Sequence, residues 1–317
     1  MLAIVGPTAT GKSALGIALA GRHGGEIVSC DSTAVHAGID IGTDKVPLEA
    51  RRGVPHHLID VVPVTGSYSA ADYARDAAAA VRSILGRGGV PILVGGTGFY
   101  YRALTRGLFP GPGRNEPLRS RLRAIASRRG LGFLHRMVGR IDPPSAARIQ
   151  PRDEVRLVRA LEVYFSTGRS LTEHFADTSS PLGDTIVAGV VLEIPRVQIK
   201  ERVRRRVEEQ FRRGVIDEVR RLLASGVPES AQALQGLVYR QIVEHLRGVR
   251  DLGATRDLIV SENVRYARRQ LIWFRKEPNL DWIQGAGESA GALHAVEAAL
   301  ARRLASAPAS SHCTRQG

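Results

Sequence analysis

The sequence predicts an α/β fold: a parallel sheet with helices on both faces, interrupted by a helical insertion. Three observations predict it. A glycine-rich phosphate-binding signature lies between a strand pattern and a helix pattern. Strand and helix patterns alternate through the first hundred residues. A Pro/Gly break then opens a long arginine-rich helical stretch before strands resume.

The first element is the apolar run Met1-Leu2-Ala3-Ile4-Val5, which reads as a buried strand. It runs into Gly6-Pro7-Thr8-Ala9-Thr10-Gly11-Lys12-Ser13, spelling G-x-x-x-x-G-K-[ST], and Leu15 to Ala20 continues as a helix. Strand, glycine loop and helix are the context in which this signature is a P-loop, so the core is expected to be P-loop NTPase-like. The glycines let backbone N–H groups turn inward around phosphate oxygens, and the helix N-terminus adds positive potential. Lys12 can reach a terminal phosphate, and the Ser13 hydroxyl can hold Mg²⁺. The loop alone does not say which phosphorylated molecule it holds.

Glu26 to Cys30 reads as a second strand, ending at Asp31-Ser32, and His57 to Val62 as a third. Ser69 to Leu85 is an alanine-rich helix with Ser69 as N-cap and Asp72 in its first turn. Val90 to Val94 is a buried strand ending at Gly95-Gly96-Thr97. In open α/β sheets ligands sit outside the carboxyl ends of strands, so the P-loop, Asp31-Ser32 and Gly95-Gly96-Thr97 should converge. Phe109-Pro110-Gly111-Pro112-Gly113-Arg114 marks a hinge, and residues from about 114 to 176 read as helical. A strand returns at Thr185 to Leu192, followed by helices at roughly 196–225, 238–249 and 254–275. The expected organisation is a catalytic core of residues 1–112 and 183–283, a helical insertion domain at 113–182, and a disordered tail at 304–317.

Asp31 can accept a proton or hold Mg²⁺ beside the phosphate cradle, and its position also suits a helix cap or turn. Thr97 can contact phosphate or close an ST-turn. Lys and Arg total 45 against 31 Asp and Glu, a net charge of +14 and a pI near 10.7. A polyanionic partner accounts for that excess, and an arginine-rich composition from a GC-rich genome is the competing reading. The arginines fall in runs. Arg152, Arg156 and Arg159 have helical spacing, as do Arg202, Arg206 and Arg213. Arg265, Arg268, Arg269 and Arg275 are interleaved with Tyr266, Trp273 and Phe274, a pattern suited to an RNA backbone with exposed bases. No apolar run approaches the roughly 20 residues of a membrane span, and no signal peptide precedes the P-loop, so a cytoplasmic protein without membrane partners is expected. Cys30 and Cys313 form neither a metal cluster nor a disulfide framework.

Together these segments resemble the tRNA dimethylallyltransferase (IPP transferase) family. The likeness rests on the P-loop, Asp31-Ser32 with Gly38-Ile39-Asp40-Ile41-Gly42-Thr43, and Val54-Pro55-His56-His57-Leu58-Ile59-Asp60. It continues through Tyr68-Ser69-Ala70-Ala71-Asp72, Val94-Gly95-Gly96-Thr97-Gly98-Phe99-Tyr100 and Asp142-Pro143 with Ala146-Ala147-Arg148-Ile149. Arg159-Ala160-Leu161-Glu162-Val163 and Tyr266-Ala267-Arg268-Arg269-Gln270-Leu271 complete it. The resemblance implies transfer of a dimethylallyl group from dimethylallyl diphosphate to N6 of the tRNA adenosine 3′-adjacent to the anticodon. It implies Asp31 as base, Thr97 and Arg202 as catalytic partners with Arg206 as an alternative to Arg202, Mg²⁺ on Ser13, and a P-loop holding the leaving diphosphate rather than ATP. It implies contacts with the tRNA anticodon stem-loop at Asp31, Ser32, Thr33, Ala34, Thr97 and Arg119. The run Val155-Arg156-Leu157-Val158-Arg159 would join them, with Gln235, Tyr239, Arg240, Arg268, Arg269 and Arg275. A monomer is expected, and the lack of a zinc finger after the core points to an enzyme of bacterial type.

The sequence departs from the family pattern in three places: Thr33-Ala34-Val35-His36 replaces a stretch with Gln and Tyr, Val238 replaces a Gly before Tyr239, and Arg152 replaces an Asn. A P-loop kinase of a small metabolite explains Lys12, Ser13 and Asp31 but leaves the arginine runs idle. A non-enzymatic RNA-binding protein explains the charge but not the strand ends.

Overall fold

The computed structural model describes residues 1–305. The predicted disordered tail lies outside them except for its first two residues, and Cys313 lies outside as well. The chain forms two compact units, Met1–Thr105 with the chain from Leu182 onward, and Arg106–Pro181.

The first unit is built on a six-stranded, all-parallel sheet. Its strands are β1 (Leu2–Val5), β2 (Gly25–Cys30), β3 (His56–His57), β4 (Val90–Gly95), β5 (Ala188–Glu193) and β6 (Leu280–Gln284), in the order β3-β2-β4-β1-β5-β6. Ile4 is in register with Val94 and with Val190, so the loops leaving β1 and β4 emerge side by side. Alternate residues of each strand face opposite sides, and both sides are covered. Ala3, Val5, Val28, Leu93 and Val191 pack with α2 (Ala70–Gly86) and α3 (Gly98–Thr105), where the rings of Tyr73 and Tyr100 stack at 4.0 Å. Ile4, Ile27, Ile92 and Val190 pack with α1 (Lys12–His23) and α13 (Ala292–Ala305). This double burial is why the strands read as unbroken apolar runs. As expected, Ser69 caps α2 in a capping box with Asp72.

A further apolar cluster joins α9 (Arg196–Arg212), α10 (Val215–Ala224), α11 (Tyr239–Leu246) and α12 (Leu252–Phe274). The helix expected over 196–225 is two helices, because Gly214 adopts a left-handed φ of 85° between them. The strand expected over 57–62 is also corrected. Leu58 and Asp60 have φ of 62° and 57°, which no strand accommodates. Asp60 instead turns back so that its Oδ1 accepts from buried Lys45 Nζ at 2.5 Å, beside Asp40 Oδ1 at 2.7 Å. β6 and α13 were not anticipated from the sequence.

The second unit holds α4 (Glu116–Arg129), α5 (Leu131–Ile141), α6 (Pro143–Arg148), α7 (Glu154–Thr167) and α8 (Leu171–Ala176) around Leu122, Leu134, Val138, Leu157 and Leu161. Side chains cap four of these helices: Asn115, Asp142, Asp153 and Ser170 each accept a backbone N–H.

Candidate active site

The loops at the carboxyl ends of β1, β2 and β4 line one cavity of about 860 Å³ that includes Gly11, Lys12, Ser13, Asp31, Gly95 and Gly96. The P-loop achieves its turn with positive φ at Gly6 (137°), Ala9 (64°) and Gly11 (84°), and Gly11 caps α1. Lys12, first residue of that helix, hydrogen-bonds to the Pro7 carbonyl at 2.5 Å. Desolvation, and secondarily the Arg206 guanidinium, push its ammonium down to about 7, while Asp31 pulls it upward. Ser13 is exposed on the next position and its hydroxyl makes no hydrogen bond among the described residues.

Asp31 follows β2 in a tight turn. Its Oδ1 accepts from Thr33 N–H (2.8 Å), Thr33 Oγ1 (2.7 Å) and Ala34 N–H (3.3 Å). That leaves Oδ2 without a hydrogen bond among the described residues. Thr97 Oγ1 accepts from Ser32 N–H at 3.1 Å, and the N–H groups of Gly96 and Thr97 both reach the Cys30 carbonyl. The end of β4 is thereby tied to the turn that aims Asp31. Tyr266 of α12 also lines the cavity. Burial, then the Asp31 carboxylate, push its phenol up to about 12, and it shares a hydrogen bond with Thr97.

Two of the α9 arginines, Arg202 and Arg206, reach the P-loop. Arg202 Nη1 donates to the Ala9 carbonyl at 3.3 Å, and its Nη2 pairs with Glu288 Oε2 at 3.0 Å. Arg206 Nη1 donates to Thr8 Oγ1 at 2.7 Å, and its Nε pairs with Asp44 at 3.0 Å. One helical turn separates them, so Arg202 and Arg206 present one cationic edge to the loop.

Two residues at this site were given no role from the sequence, although Gln270 lies in one of the segments that carry the family resemblance. Gln270 of α12 bonds both to the P-loop and to Gly96. Glu288 crosses Gly11 so closely that a methyl there would lie 2.4 Å from its carboxylate. A polar residue inside a helix pattern and a glutamate in a glycine-rich loop look like ordinary surface positions until the fold brings them here.

The expected RNA-contacting residues divide. Ser32 and Thr33 are partly exposed, and Gln235, Arg240, Arg268, Arg269 and Arg275 are exposed. Arg240 pairs with Glu262 at 3.0 Å, Arg275 pairs with Glu193 at 3.2 Å, and Arg269 lies over the Tyr266 ring. Tyr239 is a correction, whereas Ala34 lines the cavity. Tyr239 is a core residue whose hydroxyl donates to Glu218 at 2.6 Å and accepts from Gly42 N–H, and Ala34 is buried. Phe274, one of the aromatics interleaved with these arginines, is fully buried and offers no stacking surface.

In the helical unit, Val155 and Arg156 of α7 face solvent, whereas Leu157 and Val158 belong to its core. Arg159 and Arg119 are not a free cationic face. Both bind Glu162, a carboxylate with no exposure, at 2.6 Å and 2.7 Å. Arg152 precedes the Asp153 cap and so lies outside α7.

Comparison with known proteins matches this architecture to one group. A family model described as IPP transferase matches residues 34–277. The tRNA dimethylallyltransferase of Koribacter versatilis is 42% identical over 294 residues, 92% of this chain and 94% of that protein. That of Thermomicrobium roseum is 44% identical over 284 residues, 89% and 85% of the two chains. The crystal structure of the Bacillus halodurans tRNA isopentenylpyrophosphate transferase superposes with a TM-score of 0.71 at 34% identity, covering 96% of this chain and 97% of that one. A eukaryotic dimethylallyltransferase acting on tRNA gives a TM-score of 0.77 at 25% identity, over 95% of this chain and 77% of its own. With a family model matched over residues 34–277 and relatives more than 40% identical across about nine-tenths of its length, the chain belongs to the IPP transferase family, among the tRNA dimethylallyltransferases.

Proposed function

We propose that this chain transfers the dimethylallyl group of dimethylallyl diphosphate to N6 of the adenosine 3′-adjacent to the anticodon of tRNA. The observation that carries the reading is the meeting of Lys12 and the free Oδ2 of Asp31 in one cavity edged by Arg202 and Arg206. In the reaction the bond from C1 of the dimethylallyl group to its diphosphate oxygen breaks, and the electron pair leaves with the diphosphate. The inward N–H groups of the P-loop, Lys12 and the two arginines stabilise that charge. The N6 nitrogen bonds to C1, and Asp31 takes the proton that N6 gives up. Thr97, through Ser32, holds the turn that aims Asp31.

The donor set suits Mg²⁺: the unengaged Ser13 hydroxyl is a hard oxygen donor, and magnesium typically takes one or two protein ligands with phosphate oxygens and water. When bound there it would neutralise charge on the diphosphate. The exposed arginines of α12 and Arg156 support a tRNA partner through phosphate contacts, and the target adenine must leave its stack to reach Asp31. A monomer acting in the cytoplasm belongs to the same proposal; among the described residues no helix is long and apolar enough to cross a membrane. A small-metabolite kinase gives these arginines no role.

The test is incubation with dimethylallyl diphosphate, Mg²⁺ and unmodified tRNA, followed by mass spectrometry of the nucleosides. A five-carbon adduct on adenosine is expected. Turnover of ATP onto a small acceptor, with no adduct, would sink the reading.

A further inference from the structure

Gln270 lies on the inner side of α12 and is 6% exposed. Its Oε1 accepts the Thr8 N–H of the P-loop at 2.8 Å, and its Nε2 donates to the Gly96 carbonyl at 2.8 Å. The two partners are a donor and an acceptor, so only one orientation of the amide satisfies both. The fit is close: a methyl group on Gly96 would come within 2.2 Å of Nε2. Both contacted loops leave adjacent strands, β1 and β4, which pair in the sheet up to Val5 and Gly95.

We infer that Gln270 is a positioning residue for the diphosphate grip, clamping the P-loop to the turn that carries Thr97. Two consequences follow from its partners. Fixing the Thr8 peptide fixes the hydroxyl to which Arg206 donates at 2.7 Å, so one buried amide sets the place of a cavity arginine. Fixing Gly96 steadies Thr97, which in turn holds Ser32 beside Asp31. The leaving-group end and the acceptor end of the cavity are thus held in register by one side chain, on the helix whose outer face bears Arg268 and Arg269. A buried polar group left without its partner is costly enough to shift the loop it releases. The inference rests on the diphosphate reading above.

A glutamate at this position discriminates positioning from mere packing. Gln270→Glu keeps the acceptor for Thr8 but turns an oxygen toward the Gly96 carbonyl. When protonated it can donate again, and burial raises a carboxyl's pKa. Lys12, Asp31, Arg206 and Tyr266 line the cavity beside it, and dividing by the wild-type profile removes their titration.

The experiment is calorimetric binding of inorganic pyrophosphate with Mg²⁺ to wild type, Gln270→Ala and Gln270→Glu between pH 5.5 and 8. Gln270→Ala should bind roughly tenfold more weakly than wild type. Gln270→Glu should be similarly impaired at pH 8 and recover toward wild type at pH 5.5. Wild-type binding matched by Gln270→Ala, or a Gln270→Glu deficit that does not change with pH, would overturn the positioning role alone. Failure of the wild type to bind pyrophosphate would overturn the diphosphate reading, and this role with it.

Discussion

Thr97 Oγ1 accepts the Ser32 N–H at 3.1 Å, so a residue at the end of β4 controls the turn that presents the Asp31 carboxylate at the end of β2. Thr97→Val preserves shape but leaves that N–H without its acceptor. Loss of about 1–3 kcal/mol at this contact predicts a transfer rate lower by roughly ten- to a hundredfold, with tRNA affinity unchanged. Single-turnover kinetics alongside a binding titration check it.

Lys12 predicts a pH dependence of anion binding. Its ammonium is held near 7 in the free protein by desolvation and by Arg206. An anion favours the protonated form and raises that value, so binding above pH 7 takes up a proton. Pyrophosphate affinity should therefore be fully present below pH 7 and decline as pH rises, by at most about tenfold per unit. The ligand also titrates, so the wild-type profile is read as a ratio to that of Lys12→Met. A ratio flat from pH 6 to 9 would remove Lys12 from the site.

Glu162 predicts where acid weakens the helical unit. Burial pushes its carboxyl up, but hydrogen bonds from Arg119 and Arg159 outweigh this and hold it down at about 2, against an ordinary 4.5. A depressed carboxyl contributes stability that is present above 4.5 and is lost as pH falls toward 2. Glu162→Gln should cost about 3 kcal/mol at neutral pH, because two arginines lose their partner in a buried setting. The difference from wild type should shrink as pH falls from 4.5 toward 2. Hydrogen exchange of the α4 and α7 amides measures both.

Arg156 and Arg159 separate binding from stability. Arg156 is 64% exposed with a loose partner in Asp153 at 3.4 Å, whereas Arg159 binds Glu162. Arg156→Glu should weaken tRNA binding and flatten its salt dependence without changing the melting temperature. Arg159→Ala should lower the melting temperature. The opposite pattern would reassign the two residues.

Much of this arrangement was legible because its signals are local. The P-loop is spelled in consecutive residues between a strand and a helix, and the other strand ends carry Asp31 and Thr97 as short punctuation after apolar runs. What was not legible depends on rotation and distance. Successive helix residues turn by about 100°, so the run from Val155 to Arg159 could not share one face, and Leu157 and Val158 had to turn inward. Glu162 and Arg119 sit on different helices, and no spacing rule pairs them. Gln270 and Glu288 meet the P-loop from the far end of the chain. Val238 is the clearest conflict between sequence and backbone. It holds a φ of 75° with a β-branched side chain, a conformation suited to the glycine that the family pattern carries before Tyr239. Its buried side chain, packed with Ile242 and Tyr239, keeps the turn in place.

The central claim is that Asp31 takes the proton from the attacking amine while the P-loop holds the departing diphosphate. The most direct measurement is the single-turnover rate of dimethylallyl transfer to tRNA by Asp31→Asn, with pyrophosphate and tRNA affinities measured on the same preparation. The account predicts a rate lower by roughly 10² to 10⁴, with both affinities close to wild type. A wild-type rate in Asp31→Asn would contradict it.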